Sequence, residues 1–238
     1  PRLCYVVRAL SAMFGDNVRA VVGHRAEPIE AAFPELAGRF VLQAEQLGTG
    51  HALACALPAL AAAGLSHVLV VNGDAPLVTA ESLGAFLDTA RTAEADLAFV
   101  SITLPDPGTY GRVVRTAGGV SIVEAKDFDP AIHGQATGEI NAGVYRLRLE
   151  TIAPLLDRLS NANKSGEYYI TDLVALAQEA GLAVLPVESG GDEAYLGINC
   201  PRELVAAEDI LRRRIVDAHL DAGVIIRAGE SVRIGPEV

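Results

Sequence analysis

Short aliphatic runs that stop at glycine, proline or a carboxylate alternate with stretches whose apolar residues recur every three or four positions. The clearest run lies in HVLVVNGDAPLV, residues 67–78, where Val68, Leu69, Val70 and Val71 follow one another without a polar break. Such a run predicts a strand covered on both faces. It ends at Asn72, Gly73, Asp74 and Pro76, and ligands of open α/β sheets bind where strands end in this way. Asp74 is therefore the first candidate for chemistry, with a turn cap as the plain alternative.

Before that strand, Leu3, Val6, Val7 and Leu10 predict a helix stopped at Gly15, and residues 17–23 a strand. A short helix around residues 28–33, a strand at 40–43 and a helix from His51 that Pro58 ends or kinks come next. Opening on a helix implies that a preceding strand of the sheet is absent from this string. After the central strand, Leu83, Phe86, Leu87 and Ala90 mark a helix starting near Thr79 or Ser82, and residues 96–104 a strand. This β-α alternation predicts a mainly parallel sheet with right-handed crossovers. Residues 111–115, 120–126 and 140–146 are three strand-like runs with no helix between them, an expected antiparallel insertion over the ligand edge. Helices are expected through Leu155 and Leu176, strands at 182–187 and 194–198, and a last helix from Pro201 to about His219. In the tail, Ile226, Val232 and Val238 fall six apart, the spacing of a parallel β-helix; an irregular tail is the alternative.

Composition narrows the ligand. With 30 acidic and 19 basic residues the net charge is −11, which opposes binding to nucleic acid or an anionic membrane. A phosphate ligand must then be held locally, by backbone N–H groups, a metal ion or a few basic side chains. Cys4, Cys55 and Cys200 are widely spaced and form no C-x-x-C pair, which fits a reducing compartment and excludes a thiolate zinc site. No apolar run approaches the roughly 20 residues that span a bilayer.

Residues 43–52, QAEQLGTGHA, place a Gly-Thr-Gly turn before a helix, where backbone can approach an anionic ligand closely. His51 reads as a helix-face residue, since no second His or Cys sits at ligand spacing. Tyr110, Gly111, Arg112, Glu124, Lys126 and Asp127 bunch on the expected insertion and suit either a polyhydroxylated ligand or a solvated face. Asn141 precedes the small pair Ala142 and Gly143, and Asn199 sits where an N-cap is the ordinary role.

Taken together, QAEQLGTGHA, NGDAPL, YGR, IVEAKD, EINAG, GEYYITD and GIN, in this order, resemble the uridyltransferase domain of the bacterial bifunctional N-acetylglucosamine-1-phosphate uridyltransferase / glucosamine-1-phosphate acetyltransferases. The resemblance covers nearly the whole string. It implies a Rossmann-like nucleotidyltransferase domain over residues 1–199, a linking helix over 200–221 and, from 222 to 238, the first rung of a left-handed β-helix that makes full-length members homotrimers. With almost all of that β-helix missing, no acetyltransferase activity is expected of this chain. The implied cytoplasmic reaction is Mg²⁺-dependent transfer from UTP to N-acetylglucosamine 1-phosphate, giving UDP-N-acetylglucosamine and pyrophosphate for cell-envelope synthesis.

By the same resemblance Gln43, Gly48 and Thr49 hold the uracil, Asn72 and Gly73 contact the nucleotide, and Gly111, Glu124 and Asn141 hold sugar and ribose. Asp74 and Asn199 are the implied Mg²⁺ ligands. Asn72, Ala142 and Cys200 depart from the family's usual Tyr, Thr and Asn. The family's glycine-rich, basic loop would precede Pro1, and the expectation is that the protein has it. Two other readings stay open: a pyrophosphorylase for another sugar or base, and a nucleotidyltransferase-like binding subunit without catalysis.

Overall fold

The computed structural model describes residues 3–23, 26–189 and 193–235. Its helices are α1 (Leu3–Phe14), α2 (Glu27–Ala32), α3 (Thr49–Ala62), α4 (Ala80–Thr92), α5 (Pro130–His133), α6 (Leu149–Leu156), α7 (Asp172–Glu179) and α8 (Pro201–Asp221). The strands are β1 (Ala20–Val22), β2 (Phe40–Leu42), β3 (His67–Val71), β4 (Leu97–Thr103), β5 (Arg112–Thr116), β6 (Gly119–Val123), β7 (Glu139–Arg148) and β8 (Val184–Glu188).

A six-stranded sheet is built around β7, which pairs along one side with β4 and along the other with β5 near its start and β3 towards its end. Alternate residues of these strands feed two cores. Leu97 and Phe99 of β4 and Tyr145 and Leu147 of β7 pack with α3, α6 and α7. Ala98, Val100 and Ile102 of β4 and Ile140, Ala142 and Val144 of β7 pack with α1 and α4. Both faces are thus covered, which is why β4 reads as a nearly continuous apolar run.

The α/β nucleotidyltransferase architecture is as expected, but the sheet is mixed. β7 runs antiparallel between β3 and β4, and β4–β8 is the parallel pair of this sheet. Element order along a chain reports strand type; it does not reveal that a later strand is laid between two earlier ones. β1 and β2 form their own parallel pair, and a largely apolar cavity of about 540 Å³ lies between β1 and β3.

Two further expectations are corrected, the helix-free insertion and the strand at 194–198. Pro58 lies inside α3 without ending it, because Leu53, Ala56 and Leu60 bury one face across the proline. The insertion contains α5, opened by Asp129, whose side chain accepts from Ala131 N, with Pro130 at the first helical position. Residues 193–195 are a 3₁₀ turn where a strand was expected: Ala194 and Tyr195 are apolar because they are buried, and Tyr195 Oη donates to Ser82 O at 2.7 Å. Beyond α8, the described residues 222–235 contain no strand. Ile226 and Val232 are half-buried there, while the third hexad position, Val238, lies outside the described residues.

Helix α4 starts as expected, with Thr79 and Ser82 in a reciprocal capping box. Helix α8 packs Ala207 and Ile210 against Leu77 and Ile198, so it rests directly on the NGDAPL and GIN loops. Among the described residues no helix is long and apolar enough to cross a membrane.

Candidate active site

The seven motifs are joined by a series of contacts that runs around the ends of β3 and β6 and the end of β2 in its own pair. QAEQLGTGHA is strapped to GEYYITD by backbone. Tyr168 N–H donates to Leu47 O at 2.7 Å, Gly50 N–H to Tyr168 O at 2.8 Å, and Ile170 N–H to Thr49 Oγ1 at 3.0 Å. Gly48 makes the turn with φ +107°, and a Cβ there would lie 2.5 Å from Tyr168 O. Only glycine satisfies both the dihedral and the closeness. Gln43, 8% exposed, donates from Nε2 to Gly48 O at 3.0 Å and stands 3.0 Å from His51 Nδ1.

GEYYITD leads on to IVEAKD through Thr171 Oγ1, which donates to Glu124 Oε1 at 3.1 Å. Glu124 backs onto YGR: a Cβ on buried Gly111 would lie 3.3 Å from Glu124 Oε2. Burial pushes the Glu124 carboxyl above the ordinary carboxylate range. The Thr171 bond opposes that rise, and the neighbouring Asp172, Asp127 and Glu167 add to it.

YGR reaches EINAG where Asn141 N–H donates to Gly111 O at 2.9 Å. Asn141 Oδ1 accepts from Gly143 N–H at 3.1 Å, and Asn72 N–H donates to Gly143 O at 3.2 Å, which brings in NGDAPL. Gly143 has φ +70°, and a Cβ there would sit 2.3 Å from Asn72 Nδ2. Gly73 faces Leu3 of α1, 3.2 Å from where its Cβ would be.

NGDAPL then meets GIN. Ile198 N–H donates to Asp74 O at 2.9 Å, and the Cα of Gly197 faces Asp74, with 3.5 Å from a built Cβ to Oδ2. Tyr110 closes the ring. Its hydroxyl donates to Gly197 O at 3.1 Å and accepts from Gly197 N–H at 3.0 Å. Burial raises the Tyr110 pKa, so the phenol stays protonated and able to donate.

Asn199 is not the helix cap. The N-cap of α8 is Cys200, and Glu203 accepts from the N–H groups of both Asn199 and Cys200. The Asn199 side chain is exposed and makes no hydrogen bond among the described residues, and it directly follows Ile198, whose N–H is bound to the carbonyl of half-buried Asp74. One carboxylate and one amide oxygen form an all-oxygen donor pair. That pair fits Mg²⁺, which takes few protein ligands and keeps waters and phosphate oxygens. Among the described residues no group of three or more His, Cys, Asp or Glu is arranged to hold a metal by itself.

The expected site residues Gln43, Gly48, Thr49, Asn72, Gly73, Asp74, Gly111, Glu124, Asn141 and Asn199 therefore share one end of the sheet. Sequence reasoning missed three contributors. Tyr110 had a place in a motif but no role, Thr171 sits unremarked in GEYYITD, and His51 looked like a surface residue of α3. Tyr110 and Thr171 meet partners remote in sequence, which no spacing rule marks, and His51 meets Gln43 across the turn of its own motif.

Residues 1–116 match the family model described as a MobA-like NTP transferase domain. The chain is 54% identical over 237 residues, 99% of its length, to the bifunctional protein GlmU of Nitratidesulfovibrio vulgaris (strain DP4), covering 52% of that protein. To the bifunctional protein GlmU of Oleidesulfovibrio alaskensis it is 50% identical over its whole length, again covering 52%. The chain thus spans about half the length of the curated relatives it matches. A solved CMP:2-keto-3-deoxy-manno-octonic acid synthetase complexed with CTP shares the fold, with TM-score 0.59 and 15% identity over 90% of this chain and 88% of that one. The resemblance carried by the seven motifs has its counterpart in these matches: the chain is similar over its first 116 residues to a MobA-like NTP transferase domain and over nearly its whole length to half of a bifunctional GlmU protein.

Proposed function

We propose that the chain carries uridylyl transfer from UTP to N-acetylglucosamine 1-phosphate, giving UDP-N-acetylglucosamine and pyrophosphate. The observation that supports this reading is the main-chain bond from Ile198 N–H to Asp74 O at 2.9 Å, which ties the loop of Asp74 to the loop that carries Asn199. The sugar phosphate oxygen attacks the α-phosphorus of UTP in line, forming one P–O bond as the bond to pyrophosphate breaks. The protein positions the reactants and manages charge. Gln43, Gly48 and Thr49 seat the base, Asn72 and Gly73 the nucleotide, and Gly111, Glu124 and Asn141 the sugar and ribose. Asp74 and Asn199 would hold Mg²⁺, which when bound supplies neutralisation of phosphate charge that a chain of net charge −11 otherwise lacks. In the longer protein, the tail beyond α8 would enter a left-handed β-helix and trimerise.

Replacing Asp74 by Ala should lower turnover by roughly a hundredfold or more and abolish Mn²⁺ binding in the presence of nucleotide. Near-normal turnover would overturn the assignment. Substrate choice is read from UTP against dTTP with several sugar 1-phosphates. A clear preference for glucose 1-phosphate would replace the N-acetylglucosamine reading with that of another sugar pyrophosphorylase.

A further inference from the structure

The Gln43 side chain is set by two neighbours with one outcome. Its amide nitrogen lies 3.0 Å from Gly48 O and 3.0 Å from His51 Nδ1. A carbonyl oxygen only accepts, so the group facing Gly48 must be the NH₂ and cannot be the amide oxygen. With one N–H spent on Gly48, the other points to His51 Nδ1, which must then be an acceptor. The imidazole is therefore neutral and carries its proton on Nε2, which faces Cys55 Sγ at 3.7 Å, one helical turn on. Both donors of the amide are thus used inside the protein. Its Oε1 has no hydrogen-bond partner among the described residues and is not sealed from solvent.

We propose that His51 is the positioning residue that gives this site its choice of base: it locks the Gln43 amide with Oε1 turned to the ligand, selecting a pyrimidine that offers an N3–H. This rests on the reading of the Gln43–Gly48 corner as the base site. Uracil and thymine donate from N3; cytosine presents a lone pair there, which an amide oxygen repels. Without the acceptor at Nδ1 one of the two bonds that hold the amide is lost, so the turned state, which sets NH₂ against N3 and favours cytosine, is opposed by Gly48 O alone and becomes more populated. A buried polar group held in one orientation discriminates strongly, because the wrong partner leaves it unpaired.

The test is the ratio of kcat/KM for UTP to that for CTP in the full protein, with equilibrium binding of UDP and CDP as a second readout. His51→Leu removes the acceptor and should lower both ratios by about tenfold or more, partly by improving the cytosine nucleotide. His51→Asn returns an amide oxygen near the position of Nδ1 and should restore most of the discrimination, an outcome that a purely structural role of the imidazole does not produce. Ratios in a folded His51→Leu protein within twofold of the unsubstituted ones overturn the proposal, as does His51→Asn behaving like His51→Leu. If the unsubstituted protein shows no preference for the uracil nucleotide, the reading of the base site itself fails, and this inference with it.

Discussion

Ile198 donates its backbone N–H to the carbonyl oxygen of Asp74 at 2.9 Å, so the two loops that carry the expected metal ligands are fixed to each other by main chain. The second tie is the Tyr110 hydroxyl, which engages both polar groups of Gly197. Tyr110→Phe keeps the ring and loses that clamp, leaving Gly197 N–H and C=O without this partner. The expected result is a rise of roughly fivefold in the Mg²⁺ concentration needed for half-maximal turnover, the equivalent of about 1 kcal/mol for the lost bonds. Mn²⁺ titrated directly into the nucleotide-bound protein should weaken by the same factor, while metal-free binding of UDP-sugar stays within twofold. Equal metal dependence in the two proteins would show that Gly197 is held by the Ile198 contact alone.

What was legible in the sequence, and what was not, follows from the range of the interactions. Helix α4 and its Thr79 cap, the apolar runs of β3, β4 and β7, and the helix opened by Pro201 depend on neighbours within a turn or on alternation, and each stands as expected. The position of β7 between β3 and β4 depends on long-range pairing, on the β3 side across more than seventy residues of chain, which periodicity does not encode. Ala194 and Tyr195 looked like strand because burial, and not strand pairing, selects apolar residues there. In the candidate site, the motifs named the expected residues. The side chains that contact their loops from elsewhere in the fold, Tyr110 on Gly197 and Thr171 on Glu124, do so through hydrogen bonds across the fold and carry no local signature, while His51 meets Gln43 within one motif.

Glu124 is predicted to trade stability for binding. Burial raises its pKa in the folded protein above the ordinary 4.5, so the folded state holds the proton more tightly than the unfolded chain does. Below pH 4.5 both states are protonated and no penalty exists. As pH rises through 4.5 and on through the raised folded value, stability falls, and above that value the penalty is complete. Glu124→Gln removes the charge and should melt a few degrees higher than the unsubstituted protein above the folded value, the gain shrinking as pH falls from there towards 4.5 and vanishing below it. The same variant should bind UDP-sugar about tenfold more weakly, since an amide is the poorer acceptor for sugar hydroxyls. Unchanged binding with raised melting would confine Glu124 to a structural role.

Glu139 has the opposite sign. It is buried on β7, which by itself raises its pKa, but Arg115 donates to it from Nε at 2.8 Å and from a terminal nitrogen at 2.7 Å, and Ser101 Oγ donates at 2.6 Å. These bonds win, and the carboxyl is held below its ordinary 4.5. Its contribution to stability is then present above pH 4.5 and lost as pH falls through the lowered folded value. Arg115→Met keeps the aliphatic stem and removes both donors, leaving Glu139 with Ser101. Half of the Arg115 side chain is exposed, so the loss should be smaller than for a fully buried pair, about 2 kcal/mol at pH 7. In thermal melts this is roughly 4–8 °C. The gap between the two proteins should narrow below pH 4.5, where protonation of Glu139 removes the charge that Arg115 serves. A gap that stays constant down to pH 3 would mean that Arg115 acts through packing of its stem, and the charge pairing across β5 and β7 would then be incidental to the sheet.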